Sequence, residues 1–243
     1  MSDNNIKKAF NKAAESYDAY CQLQLSTGKK LISLIQPYAH PTSRIIDLGC
    51  GTGIVTRELV AALPHDEFFA IDVADQMIEK ARTQLQDYSL TLSTANFDQP
   101  LTLGRFNISF SNMALHWSHD FVNTLKQLLH TLTEDGILAF SIPLLGTFAE
   151  IESYCAINDF MDSIFVKKIL DNSGYHIIQM QTEAMTFEFA DFLQALRSIK
   201  KIGANYVKKR IDLNYTKIKQ AVLSGEQARL TYQIGYFVVK KKS

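Results

Sequence analysis

Hydrophobic positions along the 243-residue chain change their period as the chain proceeds. Ile6, Phe10, Ala13, Tyr17 and Cys21 recur at helical spacing, and Leu31, Ile32, Leu34 and Ile35 follow before Pro37. Residues three and four apart share one helix face, so the pattern predicts helix over 4–36, an N-terminal helical flap. From residue 44, short apolar runs alternate with helical stripes. "RIIDL", "EFFAID", "LTLSTANF", "FNISFSN" and "GILAFSI" read as strands. "IVTRELVAAL", "DQMIEKARTQL" and residues 119–132 read as the helices between them, the second opened by Asp75 as N-cap and the third followed by the turn "TEDG". Such alternation predicts a parallel sheet with helices on both faces.

After Pro143 the rhythm loosens. Helices are predicted over 147–157, 162–172 and 190–202. "HIIQMQ" reads as a sixth strand, and "RLTYQIGYFVV", with alternating Leu230, Tyr232, Ile234 and Tyr236, as a long seventh. The fold class is therefore α/β: a doubly wound, mostly parallel seven-stranded sheet with a helical insertion before the last strand. One domain is expected over 1–243, comprising a flap over 1–36, a ligand-binding core over 40–145, a helical substrate-side region over 146–228 and a final strand over 229–241.

Composition adds limits. Hydrophobic residues make up 47% and charged residues 21%, an ordinary globular balance. Lys plus Arg and Asp plus Glu are 25 each, so only local clusters of charge can point to a partner. The stretch "MSDNNIKKAFNKAAESYDAY" has no continuous apolar core and does not read as a secretory signal. "GILAFSIPLLG" is too short to span a bilayer. Cys21, Cys50 and Cys155 are odd in number and form no C-x-x-C pair, which fits a reducing, cytoplasmic setting.

Candidate chemistry concentrates in "DLGCGTG", the first strand-to-helix turn. In an open parallel sheet, ligands bind beyond the carboxyl ends of the strands, where strand order reverses. Gly49, Gly51 and Gly53 let a ligand press on bare backbone and adopt positive φ without strain. Asp72 ends the second strand 23 positions after Gly49, where this architecture sets an acid against ribose hydroxyls. The turn is G-x-G-x-G rather than G-x-G-x-x-G, and no G-K-[ST] follows, so dinucleotide and Walker fingerprints both fail. Asp47 would repel a pyrophosphate; a cationic, phosphate-free nucleoside suits this turn better.

"DLGCGTG" followed by "AIDVADQMIEKAR" resembles the first two motifs of class I S-adenosylmethionine-dependent methyltransferases. The resemblance implies that S-adenosyl-L-methionine lies along the glycine backbone. Asp47 would then orient its amino group, Asp72 bind both ribose hydroxyls and Met77 pack on the adenine. In "ANFD", Asn96 stands where an acid commonly accepts from the adenine amine, and its side-chain oxygen can accept the same bond; Phe97 would line the ring. "FSNMALHW" follows the strand whose end faces the transferred methyl, which puts Asn112 among the cofactor-binding candidates. It lacks the N-P-P-[YF]-like clamp of enzymes that methylate amide or exocyclic nitrogens. Trp117 reads as an active-site wall or as a core anchor. His116 and His119 form an H-x-x-H with no third ligand in view, so no metal is expected.

A narrower resemblance extends to both ends. "AFNKAAESYDAYCQLQ", "SNMALHW", "ALRSIKKIGANY" and "LTYQIGYFVVKKK" are similar to the malonyl-acyl-carrier-protein O-methyltransferases of biotin synthesis. That likeness implies methylation of the free carboxylate of a malonyl thioester. It also implies a Tyr17 that closes over the cofactor, although the residue also reads as part of a core-facing stripe. Carboxylates are ionised at neutral pH, so Tyr17 and Trp117 would shape and orient, and no general base is expected. Members of that group carry an Asn-Arg-Phe-like element after the fifth strand; here the nearest match is "NDF", with Asp159 at the basic position. Phe192–Ile211 contains Arg197, Lys200, Lys201, Lys208, Lys209 and Arg210 with no acid among them. It reads as a solvated face or as a dock for an acidic acyl carrier protein; with only Phe192 and Tyr206 to stack on bases, nucleic acid fits less well. No membrane partner and a monomer are expected. The alternative functions are methylation of another small molecule or RNA, or cofactor binding without catalysis.

Overall fold

The computed structural model describes residues 3–154, 157–202, 215–225 and 227–242. Seven strands form one sheet: β1 (Arg44–Leu48), β2 (Glu67–Asp72), β3 (Thr91–Thr94), β4 (Phe106–Asn112), β5 (Leu132–Pro143), β6 (Tyr175–Phe189) and β7 (Ala228–Lys241). Their order is β3-β2-β1-β4-β5-β7-β6. β1 to β5 pair in parallel, and β7 lies antiparallel between β5 and β6. The chain moves outward from β1 to β3, then returns to place β4 on the other side of β1. That reversal opens a crevice beyond the carboxyl ends of β1 and β4.

Successive strand residues point to opposite faces, and the core splits accordingly. Ile45, Ile108, Phe110, Ala139 and Val238 face α2 (Gln22–Ile35), α3 (Ile54–Ala62) and α7 (Phe192–Lys201). Ile46, Leu48, Leu138, Phe140 and Phe237 face α5 (Phe121–His130) and α6 (Ser163–Asn172). Sequence-predicted helices over 162–172 and 190–202 match α6 and α7, capped by Asp162 and Asp191, whose carboxylates accept from Ile164 N–H and Gln194 N–H. α8 (Tyr215–Ser224) completes the insertion before β7. Among the described residues, no helix is long and apolar enough to cross a membrane.

Five elements differ from expectation. The predicted helix over 4–36 is two helices, α1 (Asp3–Ala13) and α2, joined through a 3-10 turn at Tyr17–Ala19. Ser16 N–H donates to Ala13 O in a tight turn, and Asp18 is drawn to Thr52 and Gln84. Among the described residues of 147–157, the only helical element is a 3-10 turn at Ala149–Ile151, entered through Phe148 at φ 64°. β3 stops at Thr94, because Asn96 Oδ1 accepts from Asp98 N–H and turns the chain. β6 runs far beyond "HIIQMQ", pairing with β7 from Tyr175 to Phe189, and the predicted turn "TEDG" is absorbed into β5.

Candidate active site

The glycine turn is built from β1 and its neighbours. Gly49 N–H and Cys50 N–H both donate to Ile71 O at the end of β2, and Gly51 N–H donates to Asp72 Oδ2 at 2.9 Å. All three glycines have positive φ, yet they serve different ends. A Cβ on Gly49 would lie 2.4 Å from the Ala114 Cβ, and one on Gly53 would lie 2.9 Å from Leu85 Cδ1 of the segment that ends α4 (Asp75–Gln84). A Cβ on Gly51 would meet only Tyr17 Cε1, at 4.0 Å. Gly49 thus admits β4's following residues, Gly53 admits helix packing, and Gly51 presents bare backbone to open space.

That space is a cleft of about 680 Å³, counting the part open to solvent. Gly49, Gly51, Asp72, Met77, Asn96, Phe97, Asn112, Trp117 and, from the flap, Tyr17 line it. Nine of the sequence-predicted residues therefore converge. Asp47 and Gly53 do not line the cleft: Gly53 supports α3 from below, and Asp47 stands behind the turn. Sequence reasoning passed over Ile6, Phe10, Val73, Asp98, Met113 and Ala114, which also line it. Asp98 stands only two residues from Asn96 in "ANFD", and Phe10 belongs to the flap's helical stripe, so both signals were present.

Electrostatics single out the acids. Asp47 is 2% exposed and accepts a 2.7 Å bond from Thr56 Oγ1; burial pushes its carboxyl from 3.8 up to about 7, with Asp72 adding to the rise. Burial also raises Asp72, against the bonds it accepts from Ala74 N–H and Gly51 N–H. Tyr17 is raised too, first by burial and then by Cys21, Asp72 and Asp18. Among the described residues, no Lys or Arg lines the cleft. Two carboxyls short of positive charge around a bare-backbone turn suit a cation. The amides are more committed. Asn112 Nδ2 donates to Gln24 O and its Oδ1 accepts from Ser141 Oγ, each at 2.8 Å, while Asn96 Oδ1 is engaged by Asp98 N–H. Asp98 itself accepts from His119 N–H and Thr124 Oγ1. Met113, beside Asn112, is held at φ 53° by bonds from its N–H to the Ser141 carbonyl and hydroxyl.

The flap closes over this cleft. Phe10 meets Trp117 edge-on at 5.6 Å and joins Ala14, Ala74, Met77 and Tyr17 in a small apolar cluster. Polar clamps surround it: Lys7 to Asp75 at 2.7 Å, Lys80 to Glu15 at 3.0 Å, Asn11 to Gln76 N–H, and Asp18 to Thr52 of the glycine turn at 2.6 Å. Trp117 is thus a wall of the cleft rather than an anchor of the main core.

A family model described as a methyltransferase domain matches residues 46–138. The malonyl-[acyl-carrier protein] O-methyltransferase 2 of Coxiella burnetii is 32% identical over 240 residues, covering 97% of this chain and 95% of that protein. The chain is a class I S-adenosylmethionine-dependent methyltransferase. A malonyl-[acyl-carrier protein] O-methyltransferase of Acetivibrio thermocellus is 26% identical, covering 100% of this methyltransferase and 95% of that relative. The N-methyltransferase NodS of Bradyrhizobium japonicum, solved with S-adenosyl-L-homocysteine, shares the fold at TM-score 0.58 and 13% identity, covering 89% of this chain and 86% of that one.

Outside the cleft, the methyltransferase exposes Arg197, Lys200 and Lys201 on α7, while Lys208, Lys209 and Arg210 lie outside the described residues. Asp159 is exposed on the segment after β5. On the same segment, Phe160 comes within 6.5 Å of the His116 ring, which in turn packs on Trp117 at 4.9 Å.

Proposed function

We propose that this methyltransferase esterifies the free carboxylate of a malonyl group carried on acyl carrier protein, a step of biotin synthesis. The full-length similarity to the Coxiella relative carries the acceptor assignment, because it includes the flap and the last strand as well as the shared core. The cleft supports the donor side. Bound donor supplies a methyl group on a positively charged sulphur, which matches an acid-rich, base-free lining.

The roles follow from the contacts. Asp72 keeps its bonds from Gly51 N–H and Ala74 N–H and uses remaining lone pairs to accept from two ribose hydroxyls. Asp47 balances the amino group from behind the turn. Met77 and Phe97 would pack on the base, and Asn96 would offer its second lone pair to the amine. Asn112 does less than expected for the ligand, since its amide ties β4 to α2 and β5; its part is to hold Met113 and Ala114 in place. The acceptor carboxylate enters already ionised, so positioning rather than proton removal limits the step. Phe10, Tyr17 and Trp117 exclude water from it, and the donor's own charge attracts it where no Lys or Arg does.

The test is genetic. The gene should restore growth of a biotin auxotroph that lacks malonyl-carrier methylation, and the Asp72→Ala variant, expressed at equal level, should not. No growth restored by the wild-type gene would sink the assignment, and growth restored equally by both would remove Asp72 from the donor site.

A further inference from the structure

Residues 16–20 connect the cleft to the C-terminal end of α7. On one side, Tyr17 lines the cleft and Asp18 bonds Thr52 in the glycine turn. On the other, Ser16 Oγ donates to Lys201 O at 3.1 Å, and Lys201 Nζ lies 6.0 Å from the centre of the Tyr20 ring, which is 45% exposed. This short strap therefore rests on the C-terminal end of α7. That helix is two-sided. Phe192, Ala195 and Ile199 are buried, while Arg197, Lys200 and Lys201 face solvent and make no ion pair among the described residues. In a chain whose charges balance at 25 each, a cationic helix end placed against the active-site cover is a local feature.

We propose that the cationic end of α7 docks the acidic face of the acyl carrier protein, and that docking there strengthens donor binding through the Ser16–Tyr20 strap. The proposal rests on the carrier-linked reading above. Its physical content is a linkage. A partner that neutralises Arg197, Lys200 and Lys201 fixes the end of α7, and so favours the Ser16 bond that holds the strap down. Donor binding favours the same closed strap from the other side, since Tyr17 covers the cleft. Two ligands that select one conformation bind with positive cooperativity, and the factor is the same in both directions. Methyl donor would thus be retained best when an acceptor is present.

The experiment measures the affinity of the full-length protein for S-adenosylhomocysteine by calorimetry, with and without saturating carrier protein bearing its prosthetic arm but no malonyl group. A tightening of about fivefold is expected, the lower end of ordinary coupling. The Arg197→Glu/Lys200→Glu double variant should abolish that shift and raise the KM ratio of carrier-linked to coenzyme A-linked malonyl by about tenfold, through like-charge repulsion at the dock. Ser16→Ala should still bind carrier but lose the shift. The proposal is overturned if wild type methylates malonyl-carrier yet shows no shift, if the double variant keeps both shift and ratio, or if total RNA produces the shift in place of the carrier. Failure of the underlying reading looks different: wild type then transfers no methyl to malonyl-carrier at all, and the proposal falls with it.

Discussion

Replacing Asp47 by Asn tests the electrostatic design of the donor site through a counterintuitive outcome: the free protein should become more stable. Asp47 is 2% exposed, accepts one hydrogen bond from Thr56 Oγ1 and has Asp72 rather than a base beside it. Its carboxyl rises from 3.8 to about 7. An acid whose folded value is raised loses its proton first in the unfolded chain, so it lowers stability as pH climbs between the two values and by a constant amount above the higher. At about 1.4 kcal/mol per tenfold change in proton affinity, the full cost above pH 7 is about 4 kcal/mol. Asn keeps the bond from Thr56 but buries an N–H₂ group without a built-in acceptor, which costs about 1–3 kcal/mol. The net gain near pH 8 is about 1–3 kcal/mol, or roughly 2–10 °C in Tm for a chain of this size. Below about pH 4, where both states hold the proton, the gain disappears and the amide's cost of about 1–3 kcal/mol leaves the variant less stable than wild type. Thermal unfolding of the ligand-free variant across this range is the assay. Calorimetry supplies a second readout: wild-type donor affinity should rise as pH increases through about 7, because a bound cation favours the ionised acid, and the variant should bind weakly with that slope removed. A variant no more stable than wild type near pH 8, or one with unchanged donor affinity and slope, refutes the reasoning.

Three further outcomes follow from the geometry. Asp72→Ala removes two charge-assisted bonds to ribose, each of about 1.5–3 kcal/mol, so donor Kd measured by calorimetry should rise at least about a hundredfold. Gly49→Ala combines positive φ with a Cβ 2.4 Å from the Ala114 Cβ, and denaturant titration should show a loss of about 2–5 kcal/mol together with loss of donor binding. Ser141→Ala leaves Asn112 Oδ1 and Met113 N–H without the hydroxyl they share; unfolding should show about 1–3 kcal/mol of destabilisation, and turnover should fall more than donor affinity.

Much of this architecture was legible because its signals are local. Alternating faces in "RIIDL" and "FNISFSN", and glycines at positions where φ must be positive, need no knowledge of distant contacts. The flap break was not legible, because Ala13, Tyr17 and Cys21 continue the helical stripe, and distant Thr52 and Gln84 pull Asp18 out of it. The length of β6 was legible but passed over. Met185, Phe187 and Phe189 pack on the core and alternate with Thr186 and Glu188, a period-two pattern, and the segment pairs with β7 throughout. Spacing also cannot say which glycine leaves room for a ligand: Gly51 faces open space, while Gly53 is filled from behind by Leu85. Asp98 was overlooked because the turn formed by Asn96 brings a more distant residue to the cleft wall.

The most direct measurement follows labelled methyl from S-adenosylmethionine into purified malonyl-carrier protein, with malonyl-coenzyme A and total RNA alongside. The account predicts rapid labelling of the carrier-bound malonyl group as a base-labile methyl ester, and none of the RNA. A carrier left unlabelled while another acceptor is methylated would contradict it.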